Sequence, residues 1–280
     1  MKIKAAVVFE KGQPFQITEL DLDAPEYGEV LVKVTACGVC HTDEVARQQI
    51  ITVPLPAVFG HEGSGVIEEI GPGVTGFKKG DRVGFSYGYC GTCEACRRGM
   101  PYGCEENRRL NFSGTQFDGT KRLHYKGREV SSFFGQGAFA THAVVHVNNL
   151  IPVPDGFDPA LVAPMGCGIQ TGAGAVLNYL KPEPASSIIV TGCGPVGLSA
   201  VMAAKIAGCV TIIACDVIDS RLDMAKELGA THTINGGNAL SVPHDVRKLT
   251  RIGTHYAIDC TGTGACVRQS LNCVRSLGTC

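Results

Sequence analysis

Residues 187–200 read SIIVTGCGPVGLSA. The apolar run Ile188 to Val190 is the signature of a buried strand. It leads into Gly192, Gly194 and Gly197, spaced G-x-G-x-x-G, with Pro195 at the start of an apolar helical stretch. The spacing alone is a weak signal; a strand before it and a helix after it give it meaning. The glycines permit a tight turn and let a pyrophosphate come close to the backbone. The following helix offers its unpaired N–H groups to that anion. Gly192, Gly194, Pro195, Val196 and Gly197 are therefore the candidate dinucleotide loop. Asp216 ends the next strand pattern, 19 residues after Gly197 (216 − 197). A carboxylate there accepts from both adenosine ribose hydroxyls and repels a 2′-phosphate, which selects NAD over NADP.

Working outward, strand and helix patterns alternate. PVGLSAVMAAKIAG (195–208) reads as a helix with Pro195 in its first turn and Gly208 at its end. VTIIACD (210–216) reads as a strand, and DSRLDMAKELG (219–229) as a helix with Asp219 as N-cap and Gly229 closing it. THTIN (231–235) and YAIDCTG (256–262) read as two further strands. The expected fold class is α/β, with a doubly wound Rossmann dinucleotide-binding domain over 169–280. Four strands are legible and a fifth would begin near LGTC (277–280). The full form has six, so the domain is expected to be incomplete at the C-terminus, with apolar strand edges left open.

Residues 1–168 have a different texture. KAAVVFE, EVLVKVTACGV, GSGVIEEIG and FATHAVV are short strand patterns separated by Gly/Pro turns. This predicts a β-rich domain. Residues 111–135 read as an extended hairpin or loop. Net charge is −1, from 25 basic and 26 acidic residues, which offers nothing to nucleic acid or an anionic membrane. No apolar run reaches membrane-spanning length, and the start MKIKAAVVFEKG lacks a signal-peptide pattern. A cytoplasmic protein is expected, in which the 14 cysteines are free thiols or metal ligands.

Within the β-rich part, GYCGTCEACRRGMPYGC (88–104) carries Cys90, Cys93, Cys96 and Cys104. Four thiolates so spaced suit a closed tetrahedral zinc site with no open position, hence a structural clamp (lobe 88–105) rather than a catalytic centre. Arg97 and Arg98 in the lobe offset its negative charge. Three more ligand types lie scattered: Cys40 in CGVCHTDE, His61 in FGHEGSG and Cys167 in GCGIQTG. Two cysteines and a histidine make the set of an open catalytic zinc, but spacing does not join them, and each also suits an ordinary buried side chain.

These segments in this order resemble the zinc-dependent medium-chain alcohol dehydrogenases. The likeness rests on GVCHTD, GHEGSGVIEEIGPGV, KKGDRV, the cysteine lobe, CGIQTGAGAV and VTGCGPVGLSA. FFGQGAFATHAVV, MGCGIQTGAGAVLN and LSAVMAAKIAGC resemble the aryl-alcohol (benzyl-alcohol) branch in particular. The resemblance implies a GroES-like catalytic domain before the Rossmann domain. It implies one catalytic zinc on Cys40, His61 and Cys167, with Glu62 as a transient ligand, and one structural zinc on the four-cysteine lobe. It implies that Asp43 fixes the His61 ring and that Thr42 takes the substrate hydroxyl proton. His41 would face the cofactor pyrophosphate, Thr171 the nicotinamide and Arg221 the adenosine. Many members carry a histidine proton relay where this chain has Val45. The implied reaction is NAD-dependent oxidation of a primary, aromatic alcohol to its aldehyde by a homo-oligomer, with no nucleic-acid or membrane partner. The alternatives are a catalytically impaired zinc-binding fragment of such an enzyme and a related zinc dehydrogenase for polyols or aliphatic alcohols. Phe85, Tyr87 and Phe134 are candidates for an apolar substrate slot and equally for plain core packing, and most of the remaining cysteines are expected to pack as small apolar residues, Cys193 lying inside the glycine loop where oxidation would block the cofactor.

Overall fold

The computed structural model describes residues 1–237 and 241–280. Its contacts divide it into two compact units, Met1–Cys167 and Gly168–Cys280.

The first unit is built from ten strands: β1 (Lys2–Val8), β2 (Gln16–Leu22), β3 (Glu29–Cys37), β4 (Ala57–Val58), β5 (Gly63–Ile70), β6 (Arg82–Phe85), β7 (Leu123–Tyr125), β8 (Arg128–Ser132), β9 (His142–His146) and β10 (Leu150–Pro152). Strands β1, β2, β7, β8 and β4 close a barrel, and β10-β6-β5-β3-β9 form an antiparallel sheet. The alternation in KIKAAVV explains its place: Ile3, Ala5 and Val7 are buried in the barrel core with Leu20 and Leu22. Gly65 on β5 sits where an added Cβ would lie 2.2 Å from the Lys33 carbonyl, so only glycine lets these strands pair so closely. The predicted hairpin of 111–135 is confined to β7 and β8, joined at Lys126–Gly127. Four short helices complete the unit: α1 (His41–Arg47), α2 (Glu94–Arg97), α3 (Asn107–Phe112) and α4 (Pro159–Val162).

The second unit opens with α5 (Gly168–Gly174), which continues as a π-helical turn over Ala175–Leu180. Strands β11 (Ser187–Thr191), β12 (Thr211–Asp216), β13 (His232–Asn235), β14 (Thr254–Asp259) and β15 (Val274–Thr279) alternate with α6 (Pro195–Ile206), α7 (Asp219–Leu228), α8 (Val242–Thr250) and α9 (Gly264–Cys273). All pairings are parallel, in the order β13-β12-β11-β14-β15. This is the dinucleotide-binding order, whose crevice opens where β11 is flanked by β12 and β14. Ile188 and Val190 bury on one face of β11 and Ile189 on the other, as a sheet covered on both sides requires. Two expectations need correction. Asp219 is the first residue of α7, not its N-cap; Ile218 holds that place, and the Asp219 carboxylate accepts from Asn235 at 2.7 Å. The fifth strand starts at Val274, earlier than LGTC, because Thr254 on β14 already pairs with Val274. Among the described residues no single helix is long and apolar enough to cross a membrane.

Candidate active site

The first unit brings Cys40, His61, Glu62 and Cys167 together, with one ligand atom of each within 4.8 Å of all the others. Cys40 is the N-cap of α1. Its extended backbone (φ −104°, ψ 150°) turns the chain into the helix, and its sulfur accepts from the Thr42 N–H at 3.5 Å. Cys167 follows the 3₁₀ turn Ala163–Gly166. Gly166 makes its approach possible, because a Cβ there would fall 1.7 Å from the Phe85 carbonyl oxygen. The Cys40 and Cys167 sulfurs lie 3.9 Å apart, and His61 Nε2 is 3.2 Å from the Cys167 sulfur.

Asp43 ties these segments into one site. Its Oδ2 accepts from the Cys40 N–H at 3.1 Å, and its Oδ1 accepts from the Gly60 N–H and faces His61 Nδ1, both at 3.0 Å. The carboxylate is buried, so these bonds are not screened by water. Hydrogen bonds to a charged acceptor are worth about 1.5–3 kcal/mol each. With Asp43 accepting at Nδ1, Nε2 is the ring nitrogen that faces the sulfurs and would ligate a metal in place of its proton. The phenylalanine rings complete the His61 setting. Phe134 stacks on the imidazole at 4.6 Å and 19°, and Phe133 meets it edge-on at 5.5 Å. Glu62 is buried beside Gly38, where a Cβ would lie 2.2 Å from its Oε2.

The electrostatics suit a cation. Cys40 is drawn well below the ordinary thiol range, first by its hydrogen bond with Cys167 and further by His61 and Thr42. Cys167 is pushed up by the same shared proton and by burial. A thiolate, a second thiol 3.9 Å away and a histidine Nε2 facing them fit zinc. Glu62 is a fourth donor within the same 4.8 Å, so a metal here would have three nitrogen and sulfur ligands and an exchangeable carboxylate.

Cys90, Cys93, Cys96 and Cys104 also converge, with all four sulfurs within 4.8 Å of one another. The turn at Gly91 (φ +74°) points the Thr92 and Cys93 N–H groups at the Cys90 sulfur, at 3.4 and 3.3 Å. Backbone donors lower the Cys90 pKa, as a zinc-bound thiolate needs, the Thr92 N–H contributing most. All are free thiols. The set fits a closed zinc site with no vacancy.

In the second unit, Gly192 (φ +90°) turns the chain off β11, and Gly194 leads into α6 with Pro195 at its first position. A Cβ on Gly197 would strike the Gly192 carbonyl oxygen at 1.8 Å; one on Gly194 would meet nothing within 4 Å. The first glycine contact packs helix on loop, and the second leaves the free approach a pyrophosphate needs. Asp216 at the end of β12 accepts from the Cys193 N–H at 2.7 Å and the Ile218 N–H at 2.9 Å, with Arg221 Nη1 3.8 Å away. A cavity of about 420 Å³ opens here, lined by Gly192, Gly194, Asp216, Arg221 and Thr261 among others. Cys215, Cys260 and Cys266 also line it, so they do more than fill the core as expected. The loop after β14 was not anticipated as a cofactor wall; its Thr/Gly content after a parallel strand was the available signal. His41 is exposed at the start of α1 and Thr171 exposed on α5. Phe85 is buried and packs with Ile67 and Val83, and it also borders a small apolar cavity with Val153, Pro154 and Met165.

The profile of the alcohol dehydrogenase GroES-like domain matches residues 26–155, and that of the zinc-binding dehydrogenase domain matches 195–280. Geraniol dehydrogenase of Castellaniella defragrans is 38% identical over 99% of this chain and 74% of its own. An S-(hydroxymethyl)glutathione dehydrogenase of Synechocystis is 37% identical over 98% of this chain and 75% of its own. The crystal structure of benzyl alcohol dehydrogenase from Acinetobacter calcoaceticus superposes with a TM-score of 0.94 and 46% identity, covering 99% of this chain and 75% of that one. The fold, the two thiol-rich centres and these matches define an oxidoreductase of the medium-chain class. The chain belongs to the zinc-dependent alcohol dehydrogenase family, whose members use zinc and NAD and act on small-molecule alcohols.

Proposed function

We propose that this protein oxidises a primary aromatic alcohol to its aldehyde, reversibly, with NAD as hydride acceptor. The observation that carries this is the cluster of Cys40, His61 and Cys167, with Glu62 as a fourth donor within 4.8 Å and the half-buried Phe134 ring stacked on His61. The likeness to benzyl alcohol dehydrogenase over 99% of the chain supports the aromatic class. Geraniol, the substrate named for another relative, is also a primary alcohol beside a π-system, and a flat unsaturated group suits a phenylalanine wall.

Cys40, His61 and Cys167 hold the catalytic zinc, with Glu62 available as a replacement ligand. Cys90, Cys93, Cys96 and Cys104 hold the structural one. When bound, zinc supplies Lewis acidity to the alcohol oxygen and NAD supplies the hydride acceptor. Thr42, whose Oγ1 lies 3.4 Å from the Cys40 sulfur, passes on the alcohol proton. Asp43 keeps the His61 ring in the tautomer and orientation that ligation needs. The Gly192–Gly197 loop, including Pro195 and Val196, would receive the cofactor pyrophosphate, and His41 is assigned a cofactor contact on the family pattern alone. Thr171 would border the nicotinamide, and Asp216 and Arg221 would hold the adenosine ribose. The protein is tested by measuring zinc content and NAD-linked turnover of benzyl alcohol, geraniol, ethanol and a polyol. Turnover of benzyl alcohol above ethanol, lost in Cys40→Ala and His61→Ala, is expected. Wild-type turnover in either variant would refute the zinc mechanism, and preference for the polyol would refute the substrate class.

A further inference from the structure

Phe134 is the only non-glycine in the segment Phe134–Gly137 with left-handed backbone, at φ 57°, ψ 20°, between the buried Phe133 and Gly135 (φ 62°). An L-residue with a large side chain does not adopt that conformation unless its surroundings hold it there. The surroundings are specific. The Phe134 carbonyl accepts from Asn149 Nδ2 at 2.9 Å. Asn149 is fully buried, and its own main chain is fixed separately, its carbonyl accepting from the Ser86 N–H at 2.7 Å. A carbonyl only accepts, so the side-chain NH₂ must face Phe134. The Oδ1 is then left buried with no partner. Gly88 keeps room for it, since a Cβ there would lie 3.0 Å from that oxygen. Leaving a buried acceptor unpaired is unfavourable, so the amide is not placed for its own sake. On the other side of the loop, Gln136 repeats the pattern. Its NH₂ donates to the Ser86 carbonyl, and its Oε1 is buried and unpaired.

We propose that Asn149 is a positioning residue of the active site. Its amide holds Phe134 in the left-handed conformation that lays the phenyl ring flat on the His61 imidazole and presents it as the wall for the substrate's π-system. This rests on the aromatic-alcohol function proposed above. Without the Asn149 donor, Phe134 relaxes toward an ordinary φ and its ring leaves His61. The side chain acts through Phe134, so its effect must vanish when Phe134 has no ring.

The test is a double-mutant cycle on the zinc-loaded protein, with Asn149→Ala and Phe134→Gly made singly and together. Two quantities are read: KM and kcat for benzyl alcohol and ethanol, and the ring-proton shift of His61 in isotope-labelled histidine, which the Phe134 ring current moves upfield. Given the usual worth of an aromatic pair, Asn149→Ala is expected to raise the benzyl alcohol KM about three- to tenfold and to leave kcat and the ethanol KM within about twofold. It also moves the His61 signal downfield. In the Phe134→Gly background it should change neither. An equal effect on both alcohols, or one that persists in the Phe134→Gly background, would overturn the inference. If the wild type has no preference for benzyl alcohol, the aromatic function is wrong, and the His61 signal alone then decides whether Asn149 positions Phe134. Should Asn149→Ala not fold, Asn149→Leu preserves most of the volume without the donor and carries the same comparison.

Discussion

At the scale of single residues, Asp43 has more influence on the metal site than its position in the sequence suggests. It lies on α1 but bonds to three segments: the Cys40 turn, Gly60 and the His61 ring. Replacing it with asparagine keeps the shape but puts an NH₂ against N–H donors. Residues that orient a ligating histidine are worth about 10–100-fold in metal affinity. Asp43→Asn is therefore expected to weaken zinc at Cys40/His61/Cys167 by that order and to leave the four-cysteine site unchanged, as chelator competition would report. Asp216 makes a second residue-scale test. Its carboxylate is held by the Cys193 and Ile218 N–H groups with an edge toward the cavity. Asp216→Ser removes the repulsion of a 2′-phosphate while Arg221 remains nearby, so the preference for NAD over NADP should fall. The chain has no tryptophan, so the fluorescence of bound NADH or NADPH measures this without protein background.

At the scale of elements, the end of β9 contains a group sensitive to acid. His146 stacks on Phe117 at 3.8 Å and 4°, and its Nδ1 accepts from the Asn148 N–H at 3.1 Å. That bond requires an unprotonated Nδ1. Gly28 makes the packing possible, because a Cβ there would lie 2.7 Å from His146 Nε2. Burial lowers the imidazole pKa from 6.5 to about 4. The unfolded chain thus binds a proton before the native protein does. The contribution is fully present above pH 6.5, declines as pH falls from 6.5 toward 4, and is spent below. Denaturant unfolding across this range should show stability falling with acidity, and His146→Gln should flatten that slope. Sequence patterns located most elements but not this contact. The alternation of FATHAVV placed the strand, whereas the partner Phe117 comes from a distant loop that no periodicity joins to it. Likewise, Asp219 looked like an N-cap by residue type, yet the turn geometry made Ile218 the cap.

At the scale of the whole molecule, both ligand clusters lie in Met1–Cys167, whereas the glycine loop and its cavity lie in Gly168–Cys280. Four cysteine ligands would close a zinc site in the lobe, so a zinc held there would contribute to folding rather than turnover. Cys93→Ser should lose one of two bound zinc ions and lower the melting temperature, while the Cys40/His61/Cys167 site keeps its metal. Zinc analysis beside calorimetry checks this, and loss of both metals would show the two sites to be coupled. The sequence alone settled what depends on local spacing. The G-x-G-x-x-G loop, the strand–helix alternation around it and the four clustered cysteines lie within short stretches of chain, where residue type and period dictate geometry. Tertiary structure decided what depends on distant segments meeting. Cys40, His61 and Cys167 are separated by up to 127 residues, and their sulfur and nitrogen atoms come together where Gly60 and Gly166 let backbones close to distances that a Cβ would forbid and Gly38 leaves room for the Glu62 side chain. Phe134 reaches His61 for the same kind of reason: a left-handed turn and a buried amide place its ring, and neither leaves a periodic mark in the sequence.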